Sequence, residues 1–266
     1  MHWITRKTYL SLFAAAAFFL MTSSSGLASP ITPAPETKPA KKAIAFVIDD
    51  FGNNMAGTEE MMSLPVPLTV AVMPFMPSTK QDAELAHKKG HAVFVHMPME
   101  PNKGKKSWLG PGAITTDLSD EEIKQRVQKA IDDVPHAVGM NNHMGSKITA
   151  NEHIMRIIMG VVKERGLIYL DSKTTDKSVA TKLAEEMGVP HTENQIFLDD
   201  VYSVPHITQQ MEKVYKQIKT HPSCVSIGHV GPPGKKTASV LRQYIPRIQK
   251  EAEFVTISQL VQHPLN

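Results

Sequence analysis

GHAVFVHMPMEP, residues 90–101, decides the fold. Val93, Phe94 and Val95 form a short continuous apolar run, β-branched and aromatic, preceded by a glycine. A strand apolar on both faces belongs in a parallel sheet that helices cover. The run stops at His96, with Pro98, Glu100 and Pro101 beyond it. In parallel α/β folds chemistry gathers at the carboxyl ends of strands, so His96 either packs or binds something.

Runs of the same kind recur on both sides. They are 43–50, 68–74, 137–143, 167–172, 195–200, 224–230 and 253–258. Between them lie segments of helical character: 55–63, 78–89, 119–133, 151–165, 175–187, 205–219 and 236–250. Ser78 and Ser119 stand at helix starts, and Asp120, Glu121 and Glu122 suit the positive end of a helix dipole. Gly90, Gly166 and Gly188 stand where helices end. Regular strand–helix alternation predicts an α/β fold with a parallel sheet. Eight candidate strands predict a distorted (β/α) barrel, with an open doubly wound sheet as the alternative. No GxGxxG follows the first strand, which argues against a dinucleotide site.

The chain of 266 residues divides into three parts. Residues 1–29 read as a signal peptide: Arg6 and Lys7, the apolar run 10–21, then small residues and a cut after Ala28. The run is shorter than the ~17 residues that span a bilayer, and an uncleaved anchor is the alternative. Residues 30–42 are a Pro/Lys-rich linker too polar to fold. Residues 43–266 form the barrel domain. The 29 basic and 26 acidic side chains become 27 against 26 without Arg6 and Lys7, a net of +1. Nothing there predicts a nucleic-acid partner, and no membrane contact is expected beyond the signal segment. Cys224, the single cysteine, lies inside a strand run and reads as a buried thiol.

Polar residues crowd the predicted carboxyl edge. Asp49-Asp50, His96, Asn141-Asn142-His143, Asp171-Ser172, Asp199-Asp200 and His229 all fall at strand ends. One such residue is ordinarily a cap or a satisfied polar group. Six ends agreeing point to a site, because polar groups beside an apolar core cost desolvation unless paired or bound. Asp50, His96 and His143 offer one oxygen and two nitrogens, a set suited to zinc with a place open for water. Asp49 is placed to take a proton from that water, provided the chain turns so that adjacent residues face one site. Gly52 and Asn53 suit such a turn. His229 is placed to protonate a leaving group. Glu100 is a ligand only if the chain bends sharply after His96. Otherwise it supports the site, contacts substrate or is a solvated loop carboxylate. Asn142 reads either as orienting a ligand or substrate, or as forming a local turn. The methionines at this edge read mainly as core filling.

At these residues the chain resembles the polysaccharide deacetylases, in particular their divergent branch in secreted bacterial proteins. FVIDD resembles the family's first motif, implying Asp49 as base and Asp50 as metal ligand. GHAVFVHMPME resembles the second, with His96 as ligand and Glu100 where a second histidine normally stands. VGMNNHMGS takes the place of a motif that normally carries an arginine, and supplies His143 instead. LIYLDS implies a role for Asp171, and SIGHV implies His229 as catalytic acid. The resemblance spans residues 43–260 and implies a deformed barrel and a metal-dependent carbohydrate deacetylase. The substrate implied is an acetylated polysaccharide or peptidoglycan-type glycan, the cofactor a divalent metal, zinc by the ligand chemistry. The implied location is secreted or cell-envelope. The alternatives are an inactive sugar- or partner-binding module, and a metal-dependent hydrolase of another amide or ester. No feature of the sequence sets an oligomeric state.

Overall fold

Strands that are apolar on both faces must be covered on both. In the computed structural model of the protein, which describes residues 42–262, curling of the sheet does this. The expected signal peptide, nearly all of the linker and the last four residues lie outside the described residues. The strands are β1 (Ala43–Phe51), β2 (Thr69–Val72), β3 (Ala92–Met99), β4 (Ala137–Met144), β5 (Ile168–Asp171), β6 (His191–Glu193), β7 (Ile196–Phe197), β8 (Ser223–His229) and β9 (Glu253–Phe254). The helices are α1 (Thr58–Met62), α2 (Thr79–Lys88), α3 (Asp120–Asp133), α4 (Glu152–Glu164), α5 (Ala180–Met187), α6 (Val204–Thr220), α7 (Gly234–Ile248) and α8 (Ile257–Gln262). No described helix is long and apolar enough to cross a membrane.

The pairings are parallel, in the order β6-β5-β4-β3-β2-β1-β8-β7. The two ends of this path are consecutive in the chain. His191–Glu193 pairs with β5, Ile196–Phe197 pairs with β8, and Asn194 and Gln195 join them. Asn194 N–H donates to Asp171 O, and Gln195 N–H to Val225 O. One extended segment thus changes partner halfway along, which is the seam of a distorted (β/α) barrel.

Two apolar layers follow from strand alternation. The inner one holds Ala45, Val47, Phe94, Leu170, Val225 and Ile227. The outer one, between sheet and helices, holds their neighbours, such as Phe46, Val95 and Tyr169, together with Met97, Met99 and Met140. Gly139 faces inward against Phe94. A Cβ there would stand 2.3 Å from the Phe94 ring, so a glycine is what lets that ring fill the barrel.

Three predicted elements differ. The run 195–200 keeps only two strand residues, and β6 precedes it. Residues 253–258 are not an eighth barrel strand: Glu253–Phe254 pair with the start of β1, and α8 follows. Thr256 and Gln259 start α8 reciprocally: Gln259 N–H donates to Thr256 Oγ1, and Thr256 N–H to Gln259 Oε1. Ile257 then packs into the inner layer. Residues 175–179 stay outside α5, held by Val179 N–H to Thr149 O.

Candidate metal centre and its acid–base flanks

Strand parity puts Asp49, His96, Asn141, His143 and His229 on the inner face at the carboxyl edge. Each lies an even number of residues from an inner-layer residue or from Gly139. Asp50 would point outward, but its φ is 71°, and the register with β2 shifts between Ile48 and Phe51. This bulge turns both carboxylates of the Asp49-Asp50 pair to one place. The following turn is fixed from α2. Gly52, at φ 109°, donates its N–H to Asp82 Oδ2 at 2.8 Å, and Asn54 N–H donates to Ser78 Oγ at 2.9 Å.

Three atoms converge there. Asp50 Oδ1 lies 3.3 Å from His96 Nε2 and 3.0 Å from His143 Nδ1, and the two nitrogens are 3.2 Å apart. The far ring nitrogens set the tautomers. His143 Nε2 is 3.1 Å from the Trp108 carbonyl, which only accepts, so Nε2 carries the proton and Nδ1 is bare. Asn141 Nδ2 donates to Asp49 Oδ1 at 2.9 Å and to Ser172 Oγ at 3.2 Å. Asn141 Oδ1, the remaining amide atom, accepts from His96 Nδ1 at 2.9 Å, which leaves His96 Nε2 bare. Asp50 Oδ1 is buried without a hydrogen-bond donor. Three lone pairs facing one point repel unless a cation sits between them. Ligand atoms of a tetrahedral zinc site with bonds of about 2.0–2.1 Å stand roughly 3.3–3.4 Å apart, close to this triangle. Asp50, His96 and His143 also form the group of potential ligands found among the described residues.

Charge agrees with geometry. Burial raises the Asp50 carboxyl, but with protons on the facing nitrogens of His143 and His96 the two imidazolium rings donate to it, outweigh burial and hold Asp50 well below the usual carboxylate range; a cation between the three atoms takes the place of those protons. Burial lowers His96, and Asp49 and Asp50 more than reverse that. The centre therefore draws positive charge. Asp49, 2% exposed, is pushed up by burial against the opposing pull of His96 and His229. His229 is paired in register with Asp49 across β1 and β8. Burial pushes its ring down, but the Asp199 carboxylate dominates and raises it to about 9. Asp199, fully buried, accepts from His229 Nδ1 at 2.7 Å, His229 N–H at 2.9 Å and Thr237 Oγ1 at 2.7 Å.

The other predicted site residues lie apart from this cluster. Glu100 is a brace: Oε1 pairs with Lys147 Nζ at 2.7 Å, and Oε2 accepts from Thr116 N–H and Oγ1. Asn142 faces outward, where its Oδ1 accepts from Ser172 N–H and its Nδ2 donates to Met144 O. Asp171 also faces outward and accepts from Lys173 N–H at 2.8 Å. Asn141 and Asp199, which no site role was drawn for from sequence, take the contacts with Asp49, His96 and His229. Parity with His143 selects Asn141 over Asn142. Asp199 had only its strand-end position as a signal. Cys224 is a buried free thiol raised by burial to about 12.

A parallel barrel with two carboxylates and three histidines at its carboxyl edge defines a class, the barrels of the polysaccharide deacetylase type. The chain belongs to the divergent polysaccharide deacetylase family, whose family model matches residues 46–261. It is 33% identical over 221 residues to the uncharacterized protein YibQ of Escherichia coli (strain K12), covering 83% of this chain and 68% of that one. Among solved structures, an uncharacterized protein from Agrobacterium tumefaciens C58 superposes with a TM-score of 0.77 at 17% identity, over 85% of this chain and 92% of that chain. A mutant of a CE4 family pseudoenzyme of Bacillus anthracis gives 0.51 at 14% identity, over 84% and 68%. These two likenesses are of fold.

Proposed function

We propose that this protein is a metal-dependent deacetylase of acetylated polysaccharide, with Asp50, His96 and His143 as ligands, Asp49 as base and His229 as acid. The observation that carries the reading is the triangle of converging ligand atoms beside the Asp49 carboxylate and the Asp199-paired ring of His229. Asp50, His96 and His143 would hold a divalent ion, zinc by the donor chemistry, which when bound would polarise an acyl carbonyl and acidify water. Asp49 accepts the proton of the attacking water. Asn141 fixes Oδ1 so that Oδ2 faces the centre, 3.7 Å from His96 Nε2. His229, protonated through Asp199, delivers its proton to the sugar nitrogen as the C–N bond breaks, and acetate leaves. The two departures from the family motifs are compensated locally. His143 supplies the third ligand in place of a second motif histidine, and Asn141 donates to Asp49 where an arginine is usual.

Residues 1–29, read as a signal peptide, carry the domain to the cell envelope or beyond. The test is acetate release from acetylated glycans by the zinc-supplied protein beside Asp49→Asn and His229→Ala. The reading expects release by the wild type and loss of at least about 100-fold in each variant. Release that persists in either, or none from a metal-loaded wild type, counts against it. The latter result favours the binding module, and turnover of other amides or esters alone favours the third reading.

A further inference from the structure

Ser172 is buried just past the end of β5 and is neither ligand, base nor acid in the reading above. Its Oγ donates to the Asn142 carbonyl at 2.9 Å. A carbonyl only accepts, so the single hydroxyl proton is committed there. The lone pairs of Oγ are left to face Asn141 Nδ2, at 3.2 Å. The main chain of Ser172 is pinned on two sides. Its N–H donates to Asn142 Oδ1 at 3.0 Å, and Asn194 Nδ2, from the barrel seam, donates to its carbonyl at 3.4 Å. Asn142 is itself fixed, because its Nδ2 donates to Met144 O at 2.7 Å.

The two ends of the Asn141 amide have nearly the same shape, so its neighbours decide which end points where. Nδ2 serves Asp49 Oδ1 and Ser172 Oγ, while Oδ1 accepts from His96 Nδ1, and His96 Nε2 keeps its lone pair for the centre. Turned end for end, the amide would set Oδ1 against Ser172 Oγ, whose proton is already committed. Nδ2 would then donate to His96 Nδ1, the neutral ring would carry its proton on Nε2, and a ligand atom would be lost. An ionised Asp49 opposes that turn, because its Oδ1 needs a donor. The proposed reaction protonates Asp49, and a carboxylic acid donates to an amide oxygen. Ser172 opposes the turn in both states, because its hydroxyl does not titrate and its acceptor is a main-chain carbonyl.

We propose that Ser172 is a positioning residue of the centre, which holds the Asn141 amide in the one orientation that leaves His96 Nε2 free to ligate, whether Asp49 carries a proton or not. The proposal rests on the reading of Asp49 as base and of His96 as ligand, and adds a residue to that site.

The test uses the full chain and two readouts other than activity. One is water exchange of the Asn141 side-chain amide protons, by NMR of the metal-free protein. The other is zinc affinity, by competition with a chelator. Ser172→Ala is expected to speed the amide exchange severalfold and to weaken zinc binding about tenfold. In an Asn141→Ala background the same change is expected to alter zinc affinity by less than about twofold, because Ser172 acts through that amide. In an Asp49→Asn background, neutral as the protonated base is, the loss is expected to exceed that in the wild type. Unchanged amide exchange, an equal loss with and without Asn141, or a loss in Asp49→Asn no larger than in the wild type overturns the proposal. If Ser172→Ala does not fold, Ser172→Cys, a weaker donor and acceptor, decides by the same readouts. Acetate release is measured separately. Coupled zinc affinity without release upholds the role of Ser172 and counts against the deacetylase reading, and release with unchanged amide exchange does the reverse. A wild type that takes no zinc counts against the metal centre, and amide exchange then decides for Ser172.

Discussion

Replacing Asp199 by Asn keeps the shape of the side chain and removes its charge. The wild-type His229 ring sits at about 9 instead of its ordinary 6.5, and Asp199 is the largest influence raising it. That gap corresponds to roughly 3 kcal/mol of preference for the imidazolium at ~1.4 kcal/mol per pH unit. It is an upper bound, because the ring is 26% exposed and solvent screens part of it. In Asp199→Asn, burial prevails over the remaining attraction of Asp50 and Asp49, and His229 is expected to titrate near or below 6.5. The assay is a ring-nitrogen NMR titration of His229, set beside the pH profile of acetate release. The alkaline limb is expected to move from near 9 to near neutrality, with little activity left at pH 8. Stability moves in the corresponding sense. A folded-state pKa above the unfolded value contributes stability fully below about 6.5, and that contribution is lost as pH rises through about 9. The variant should therefore lose most stability at pH 6, with the deficit shrinking as pH rises from about 6.5 and gone above about 9. A His229 titration still near 9 in Asp199→Asn would refute the reasoning.

Asn141→Ala leaves Asp49 Oδ1 and His96 Nδ1 short of a partner in a buried site. Urea unfolding should show a loss of about 2–4 kcal/mol, and metal affinity should fall roughly 10–100-fold. Gly139→Ala drives a methyl into the Phe94 ring and should cost about 1–3 kcal/mol, with a lower Tm that Phe94→Leu in the same chain partly restores. The Cys224 thiol, buried and raised to about 12, should resist a thiol reagent at pH 8 in the native protein and react on unfolding.

Much of the fold was legible because its determinants are local. The apolar runs ending at Asp49, His96, His143 and His229 mark barrel strands without reference to anything distant. Ser119 and Glu122 form the capping box that opens α3. What escaped reading depends on pairing. His191–Glu193 is polar and becomes a strand only because β5 lies beside it. Thr256 and Gln259 carried a helix-start signal that the apolar look of 253–258 concealed. In the site, the Asp49-Asp50 bulge was foreseeable as a condition, because both carboxylates meet only if the chain turns. The His229–Asp199 contact joins residues 30 apart in sequence through a strand of two residues, too short for parity to aim Asp199. Glu100 illustrates the reverse case. Its place in a motif suggested a ligand, and the pull of Lys147 and Thr116 takes it elsewhere.

The central claim is that Asp50 Oδ1, His96 Nε2 and His143 Nδ1 converge to hold a divalent ion. The direct measurement is the metal content of the purified full chain after zinc is supplied and excess removed, beside Asp50→Ala and His143→Ala. The account predicts about one ion per wild-type chain, lost in both variants while each remains folded by circular dichroism. A folded wild type that retains no metal, or variants that retain as much as the wild type, would contradict it.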